Sequence, residues 1–346
     1  MFSKNLTYYR LKQNMTKKEL AERIGVTAMA ITNYEKGGRV PNIETIKSIA
    51  GALDVNMADF LAARNKNLEF KHGEFRKGCS LAVGRQDLVH ESIEEYFSRF
   101  FTIIDILGDR VLPDVPEFGN IELAADDEEN ARRIRAWLNI AMDGPVPELI
   151  SVLENKGILI YLLDYKNENF SGVNGVVNER PYVVANKNMN PERQRSTVIH
   201  ELSHLLFVWP EDLKQSDCEK RATAVSGAFL FPKVDAVREL GYKRSVISND
   251  MVIVAKEYGI SMQLLAKRAR LSDIIPEHVY RNFCIAVAQG GWRKNEPSRI
   301  EQEETTLFKQ LVYRAIGEDA ISVQRGAELL GTSYEEVSKE CFVEVP

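Results

Sequence analysis

Only five histidines occur in these 346 residues, and two of them, His200 and His204, stand four apart in STVIHELSHLLF, with Glu201 beside the first. On an α-helix, positions i and i+4 lie on one face, one turn apart. Imidazoles so placed can present nitrogens to a single ion at about 2.0–2.1 Å. Glu201, about 100° around the helix from His200, is close enough to take a proton from a water attacking a carbonyl. This is the H-E-x-x-H arrangement of zinc peptidases. The competing reading is two partly buried core histidines on an amphipathic helix.

A catalytic site needs a third ligand and an open position. After Pro210 a new helix is predicted near Ser216, in SDCEKRATAVSGAFLFP, and Glu219 falls in its first turn, one short loop beyond His204. Ala222, Thr223 and Ala224 are small enough to let two antiparallel helices approach. Glu219 is therefore the favoured third ligand, with Asp217, Cys218 and Asp212 as alternatives. A rival role remains open, because Ser216-x-x-Glu219 is itself a capping box. Cys218, next to Glu219, suggests redox sensitivity of the site.

The elements that must position these groups are legible upstream. GILIYLLD, GVVNE and PYVVANK read as short strands, the last two joined as a hairpin through Asn178-Glu179-Arg180. Asn190-Pro191 then opens the histidine helix as N-cap and first helical residue. The segment before them, residues 65–150, reads as mainly helical. There Ile93, Tyr96, Phe97, Phe100, Phe101 and Ile104 recur at helical spacing and form a core stripe.

Residues 1–64 have a different character, with ten Lys or Arg against six Asp or Glu, whereas the whole chain has a net charge of −5. A basic module tied to an acidic body points to a polyanion partner for the module alone. Thr16-Lys17-Lys18-Glu19 is a capping box, Gly25 ends that helix, and Thr27 caps the next, which stops at Gly37-Gly38. Two short helices about a glycine turn form the helix-turn-helix pattern. Four scattered cysteines fit a reducing compartment, the first residues lack the apolar core of a signal peptide, and the longest apolar run is too short to cross a membrane. A cytoplasmic protein with no membrane partner is expected.

LKQNMTKKELAERIGVTAMAITNYEKGGRVPNIETIKSIAGALDV resembles the XRE (Cro/CI-like) DNA-binding family. The resemblance implies that Ala28–Tyr34 is the recognition helix, that residues 1–64 bind double-stranded DNA, and that Lys17, Lys18 and Arg39 meet phosphates. Thr27, Ala28, Met29, Thr32 and Asn33 would face the duplex, a set poor in hydrogen-bonding groups for base readout. It also implies a homodimer. A helical protein-docking module is the bland alternative.

PYVVANKNMNPERQRSTVIHELSHLLF followed by EKRATAVSGAFLFP is similar to the ImmA/IrrE metallopeptidases, over about Glu91 to Leu271. That resemblance matches His200 and His204 to two zinc ligands, Glu201 to the general base, Glu219 to the third ligand and Pro232 to the closing proline. Two positions depart from the family: Ser203 stands for the usual glycine and Thr223 for the usual asparagine. Thr223 matters if that side chain hydrogen-bonds a ligand. AISVQRGAELLGTSYEEV, at Ala320–Val337, resembles the helix-turn-helix-like tail of many members, and no DNA contact is assigned to it.

The expectation is an α+β chain in three parts. An all-α helix-turn-helix domain spans residues 1–64, a zincin-like domain with a small sheet and the H-E-x-x-H helix spans 65–275, and a helical element spans 276–346. The implied function is a zinc-dependent endopeptidase cleaving a helix-turn-helix repressor, brought to its target by its own DNA-binding domain, in stress responses or mobile elements. Its target peptide would lie extended along an edge strand near the junction of sheet and histidine helix. Arg195 or Tyr182 would stabilise the oxyanion. The alternatives are a regulator or antitoxin whose zincin domain holds a partner such as a toxin, and a self-cleaving regulator severed within Lys66–Arg85.

Overall fold

The computed structural model describes residues 2–62, 64–65, 67–73, 81–292 and 295–342. The proposed self-cleavage segment Lys66–Arg85 lies partly outside them, at residues 66 and 74–80. The helices, in chain order, begin with α1 (Phe2–Lys12), α2 (Lys17–Ile24), α3 (Ala28–Glu35), α4 (Ile43–Leu53), α5 (Met57–Leu61) and α6 (Val83–Leu107). After them come α7 (Asp127–Leu138), α8 (Leu149–Asn155), α9 (Pro191–Leu206), α10 (Gln215–Leu230), α11 (Lys233–Leu240), α12 (Asn249–Glu257), α13 (Met262–Leu271) and α14 (Glu277–Gln289). The last three are α15 (Leu307–Gly317), α16 (Val323–Leu330) and α17 (Tyr334–Cys341). The strands are β1 (Phe70–His72), β2 (Ile121–Glu122), β3 (Leu159–Leu163), β4 (Gly172–Val177), β5 (Arg180–Asn186) and β6 (Phe207–Val208). The fold is α+β, and no helix among the described residues is long and apolar enough to cross a membrane.

The chain forms two compact units. The first holds the described residues of Met1–Glu69, Ser80–Val111 and Phe308–Pro346; the second holds those of Phe70–Cys79 and Leu112–Leu307. This grouping differs from a division at 64/65 and 275/276. The reason is the aromatic stripe of α6, whose Ile93, Phe97, Phe100, Phe101 and Ile104 are buried. Its rings pack on Phe308 of α15, with Tyr96 and Phe100 at 5.5 and 5.4 Å between centroids. The tail thereby joins the unit that contains the helix-turn-helix.

In that unit the Thr16–Glu19 capping box opens α2, Thr27 caps α3 by accepting from the Ala30 N–H, and Asn42 caps α4. Leu6, Leu20, Ile31, Ile49, Leu53 and Phe60 close the core between the helices. Gly25, at φ 69° and ψ 33°, makes the left-handed turn between α2 and α3 that a side chain resists. The tail repeats this arrangement at a constant offset. Ser322 caps α16 as Thr16 caps α2, Gly331 has the same φ 69° and ψ 33°, and Ser333 caps α17 as Thr27 caps α3. Ala327 and Val337 are buried where Ala21 and Ile31 are buried.

The second unit is built on a four-stranded sheet in the order β1-β4-β5-β3. β4 and β5 form the expected hairpin through Asn178 and Glu179, both at positive φ, a two-residue turn whose twist suits antiparallel strands. β3 runs parallel to β5, so the chain crosses over rather than turning back. Two strands arise in the stretch read as a helical lead-in: β1, antiparallel on β4, and β2, parallel to β6. Both are very short, and segments of two or three residues are too brief for any periodicity to show. α9 packs its apolar face on this sheet, and α10 lies against α9, where Ser196 and Ser226 meet at 2.8 Å between hydroxyls.

Candidate functional site

The helix α9 begins at Asn190-Pro191 as expected and keeps His200, Glu201 and His204 within one continuous run to Leu206. Contact of Ser196 with Ser226, and of His200 with Glu219 and Thr223, makes α10 antiparallel to α9. α10 starts one residue earlier than expected, with Lys214 in the cap position, so Ser216 caps nothing and the capping-box role of Glu219 is not realised. Close helix approach is permitted by the small, fully buried Ser203 and Ala222. The Ser203 hydroxyl donates back to the Ile199 carbonyl at 2.7 Å, so serine in place of glycine leaves no unpaired polar group.

Three side chains converge. His200 Nε2 lies 3.2 Å from His204 Nε2 and 3.2 Å from Glu219 Oε2, and His204 Nε2 lies 3.4 Å from Glu219 Oε1. Four ligands held tetrahedrally at about 2.0–2.1 Å are about 3.3–3.4 Å from one another. Each of these approaches is close to one edge of a zinc-sized tetrahedron, with Glu219 reaching the two imidazoles through different carboxylate oxygens. Two imidazole nitrogens and a carboxylate form the donor set of a divalent transition metal with a fourth position open. The residues fit the ion. Among the described residues these are the only three histidine, cysteine or acidic side chains grouped closely enough to hold one. The alternatives for the third ligand are thus not in the group, and Asp217 is instead paired with Lys220 at 2.8 Å. Cys218 lines the neighbouring cleft, where burial pushes its thiol above the usual range and disfavours the reactive thiolate.

Thr223 bridges this cluster to its scaffold. Its hydroxyl donates to the Glu219 carbonyl at 2.8 Å and sits 3.2 Å from His200 Nδ1. An Nδ1–H donated to that oxygen leaves the Nε2 lone pair directed at the cluster centre. Threonine thus occupies the place of the family's asparagine with a hydrogen-bonding group.

Glu201, only 4% exposed, accepts a hydrogen bond from Asn174 Nδ2 of β4 at 2.9 Å. One strand position away on the same face, Gly172 leaves the space that Glu201 occupies. A Cβ there would lie 3.2 Å from Glu201 Cγ and 2.7 Å from Thr197 Cγ2. Asn174 and Gly172 were not singled out from sequence. The only available signal was their i, i+2 spacing on a strand, which does not say what they face. A cleft of about 280 Å³ opens beside the cluster, lined by Gly172, Glu201, His204, Trp209, Leu213 and Glu219. The Trp209 ring covers His204 at 5.3 Å between centroids.

Neither oxyanion candidate faces this cleft. Arg195 is buried against Glu303 and the Val146 carbonyl, and burial lowers its guanidinium pKa to about 10. Tyr182 is fully buried, with its hydroxyl 2.6 Å from His72 Nδ1.

On the helix-turn-helix, Thr27, Ala28, Met29, Asn33 and Arg39 are exposed. Met29 is 67% exposed. Thr32 turns its hydroxyl onto the Ala28 carbonyl at 3.0 Å. Lys17 is drawn to Glu35 at 3.1 Å, beside the buried Arg10–Glu35 pair, and Lys18 lies 3.9 Å from Glu22. Arg39 and Asn33 are therefore the best-presented polar side chains of the set.

Residues 6–60 match the family model described as helix-turn-helix, and residues 153–270 match the IrrE N-terminal-like domain of the M78 peptidases. Among curated proteins, the chain is 35% identical over 77 residues to the uncharacterized HTH-type transcriptional regulator YqaE of Bacillus subtilis (strain 168), covering 22% of this chain and 66% of that protein. It is 30% identical over 71 residues to the cryptic phage CTXphi transcriptional repressor RstR of Vibrio cholerae, covering 20% of this chain and 64% of that one. The chain thus spans just under two thirds of the length of these relatives. It joins an XRE-type helix-turn-helix domain to an IrrE/ImmA-like peptidase domain.

Proposed function

We propose that this chain is a zinc-dependent endopeptidase that cuts a helix-turn-helix transcriptional repressor, and that its own XRE-type domain brings it to DNA where that repressor sits. The observation that carries the reading is the convergence of His200, His204 and Glu219 at 3.2–3.4 Å between ligand atoms, with Glu201 beside them and a cleft in front. When bound, a zinc ion would supply Lewis acidity to a peptide carbonyl and to water. Glu201 takes the proton from the attacking water and returns it to the leaving amine nitrogen. Asn174 holds Glu201 Oε2 and so fixes the rotation of that carboxylate. Trp209 and Leu213 shield the reacting groups from bulk solvent and offer an apolar wall to a substrate side chain.

Supporting the DNA-directed part are the net charge of +4 over residues 1–64 and the two relatives named as transcriptional regulators. Tethering to a promoter would raise local concentration around a DNA-bound target without new protein contacts. The test compares cells expressing the wild type with cells expressing Glu201→Gln by mapping new protein N-termini. A cut confined to the wild type identifies the substrate. Identical N-termini in both strains, under stress and at rest, would sink the reading in favour of a metal-bearing regulator or antitoxin.

A further inference from the structure

Three of the four strands in the main sheet lie within residues 153–270, the IrrE-like match; β1 does not. It lies in the described residues Phe70–Gly73, which are flanked in sequence on both sides by described chain of the helix-turn-helix unit. β1 lies antiparallel along the outer edge of β4, with Phe70 opposite Val177, Lys71 opposite Val176 and His72 opposite Gly175. The Gly73 N–H then donates to the Asn174 carbonyl at 2.8 Å. This direction carries the strand toward the end of β4 where Gly172 backs Glu201. The approach at Gly73 is so close that a Cβ would lie 2.7 Å from Asn174 O and 2.8 Å from Asn174 Oδ1. The same Asn174 holds the proposed base through its amide nitrogen.

Main-chain pairing runs along the whole of β1. Lys71 is exposed, and His72 lies 2.6 Å from the Tyr182 hydroxyl with Phe70 stacked on it at 5.3 Å between centroids. Main-chain pairing along a sheet edge is how extended peptides are recognised in general. A strand of three residues is at the short end of the natural range, so it is open to exchange.

We propose that the outer edge of β4 is the docking site for an extended segment of the substrate protein, and that Phe70–Gly73 is an intramolecular occupant which the incoming segment must displace. That the docked segment is a substrate rests on the peptidase reading; the occupancy does not. A tethered strand competes at an effective concentration of about millimolar, so the intact chain binds peptide more weakly than one without β1.

The test uses a fluorescent peptide NLEFKHG, residues 67–73, and the full chain carrying Glu201→Gln so that peptide is not consumed. Anisotropy is compared with the same chain carrying also Lys71→Pro, which removes a main-chain donor from an exposed position of β1. Binding at least tenfold tighter to the Lys71→Pro chain is expected, and a peptide with that same substitution should bind neither chain. Equal affinity for the two chains, or no binding to the Lys71→Pro chain, overturns the proposal. Should circular dichroism show that chain unfolded, hydrogen exchange on the parent replaces it. Saturating isotope-labelled peptide must then deprotect the chain's own residues 70–73, and unchanged protection overturns the proposal. Displacement of residues 70–73 would leave the occupancy standing even if the wild type and Glu201→Gln gave identical protein N-termini, whereas a wild-type-only cut without displacement would keep the peptidase reading and remove the occupancy.

Discussion

Replacing Thr223 by valine isolates the outer support of the proposed metal site. The substitution preserves side-chain shape but deletes the hydroxyl that donates to the Glu219 carbonyl at 2.8 Å and sits 3.2 Å from His200 Nδ1. Loss of such an outer partner costs metal affinity about 10–100-fold. Thr223 is exposed, so water can take over part of both contacts, which places the effect near the lower end. The expectation is roughly tenfold weaker zinc, or about 1.4 kcal/mol. Competition with a chromophoric chelator measures it, alongside thermal melts in EDTA to separate metal affinity from folding. An unchanged zinc dissociation constant would refute the argument that this hydroxyl orients His200. A fall in the EDTA melting temperature that accounts for the whole loss would refute it equally.

Glu201→Gln should retain zinc within about twofold, yet lose peptide hydrolysis by roughly 10²–10⁴ for want of a proton acceptor, read by single-turnover cleavage of the mapped substrate. Gly172→Ala forces a Cβ to within 2.7 Å of Thr197 Cγ2 and 2.8 Å of the Val184 carbonyl, so a loss of about 1–3 kcal/mol is expected in urea unfolding. Glu154, buried and accepting from the Thr306 N–H, has its carboxyl raised to about 7 chiefly by that burial. The folded form then holds its proton more tightly than the unfolded one, so this group's contribution falls as pH rises from about 4.5 to about 7 and is flat above. Its full span is of order 3 kcal/mol, and Glu154→Gln should flatten the melting temperature across that window. Arg39→Ala should weaken binding to all DNA sequences alike and lower the slope of log affinity on log salt by about 1, measured by anisotropy at several salt concentrations.

Local signals carried much of this protein. Caps and glycine turns of α2 and α3, the two-residue hairpin between β4 and β5, and the Asn190-Pro191 start of α9 are all interactions between residues a few positions apart. Such interactions are written in the order of the chain, so reading it recovers them. The pairing of His200 with His204 is equally local, being a property of helical pitch. Glu219 was within reach because only one short loop separates it from His204.

Tertiary structure decided what depends on distant segments meeting. That Asn174 reaches Glu201 follows from α9 packing across β4, a contact between residues 27 apart. Arg195 looked suited to an oxyanion, yet it turns away because Glu303, 108 residues later, offers a half-buried carboxylate. The tail joins the helix-turn-helix unit because the ring stripe of α6 needs an apolar partner and Phe308 supplies it. β1 had too few residues to declare a period, and it exists as a strand only because the edge of β4 is there to pair with it. In each case the free energy comes from burial or pairing with a partner whose position no neighbouring residue encodes, and only the folded chain brings the two together.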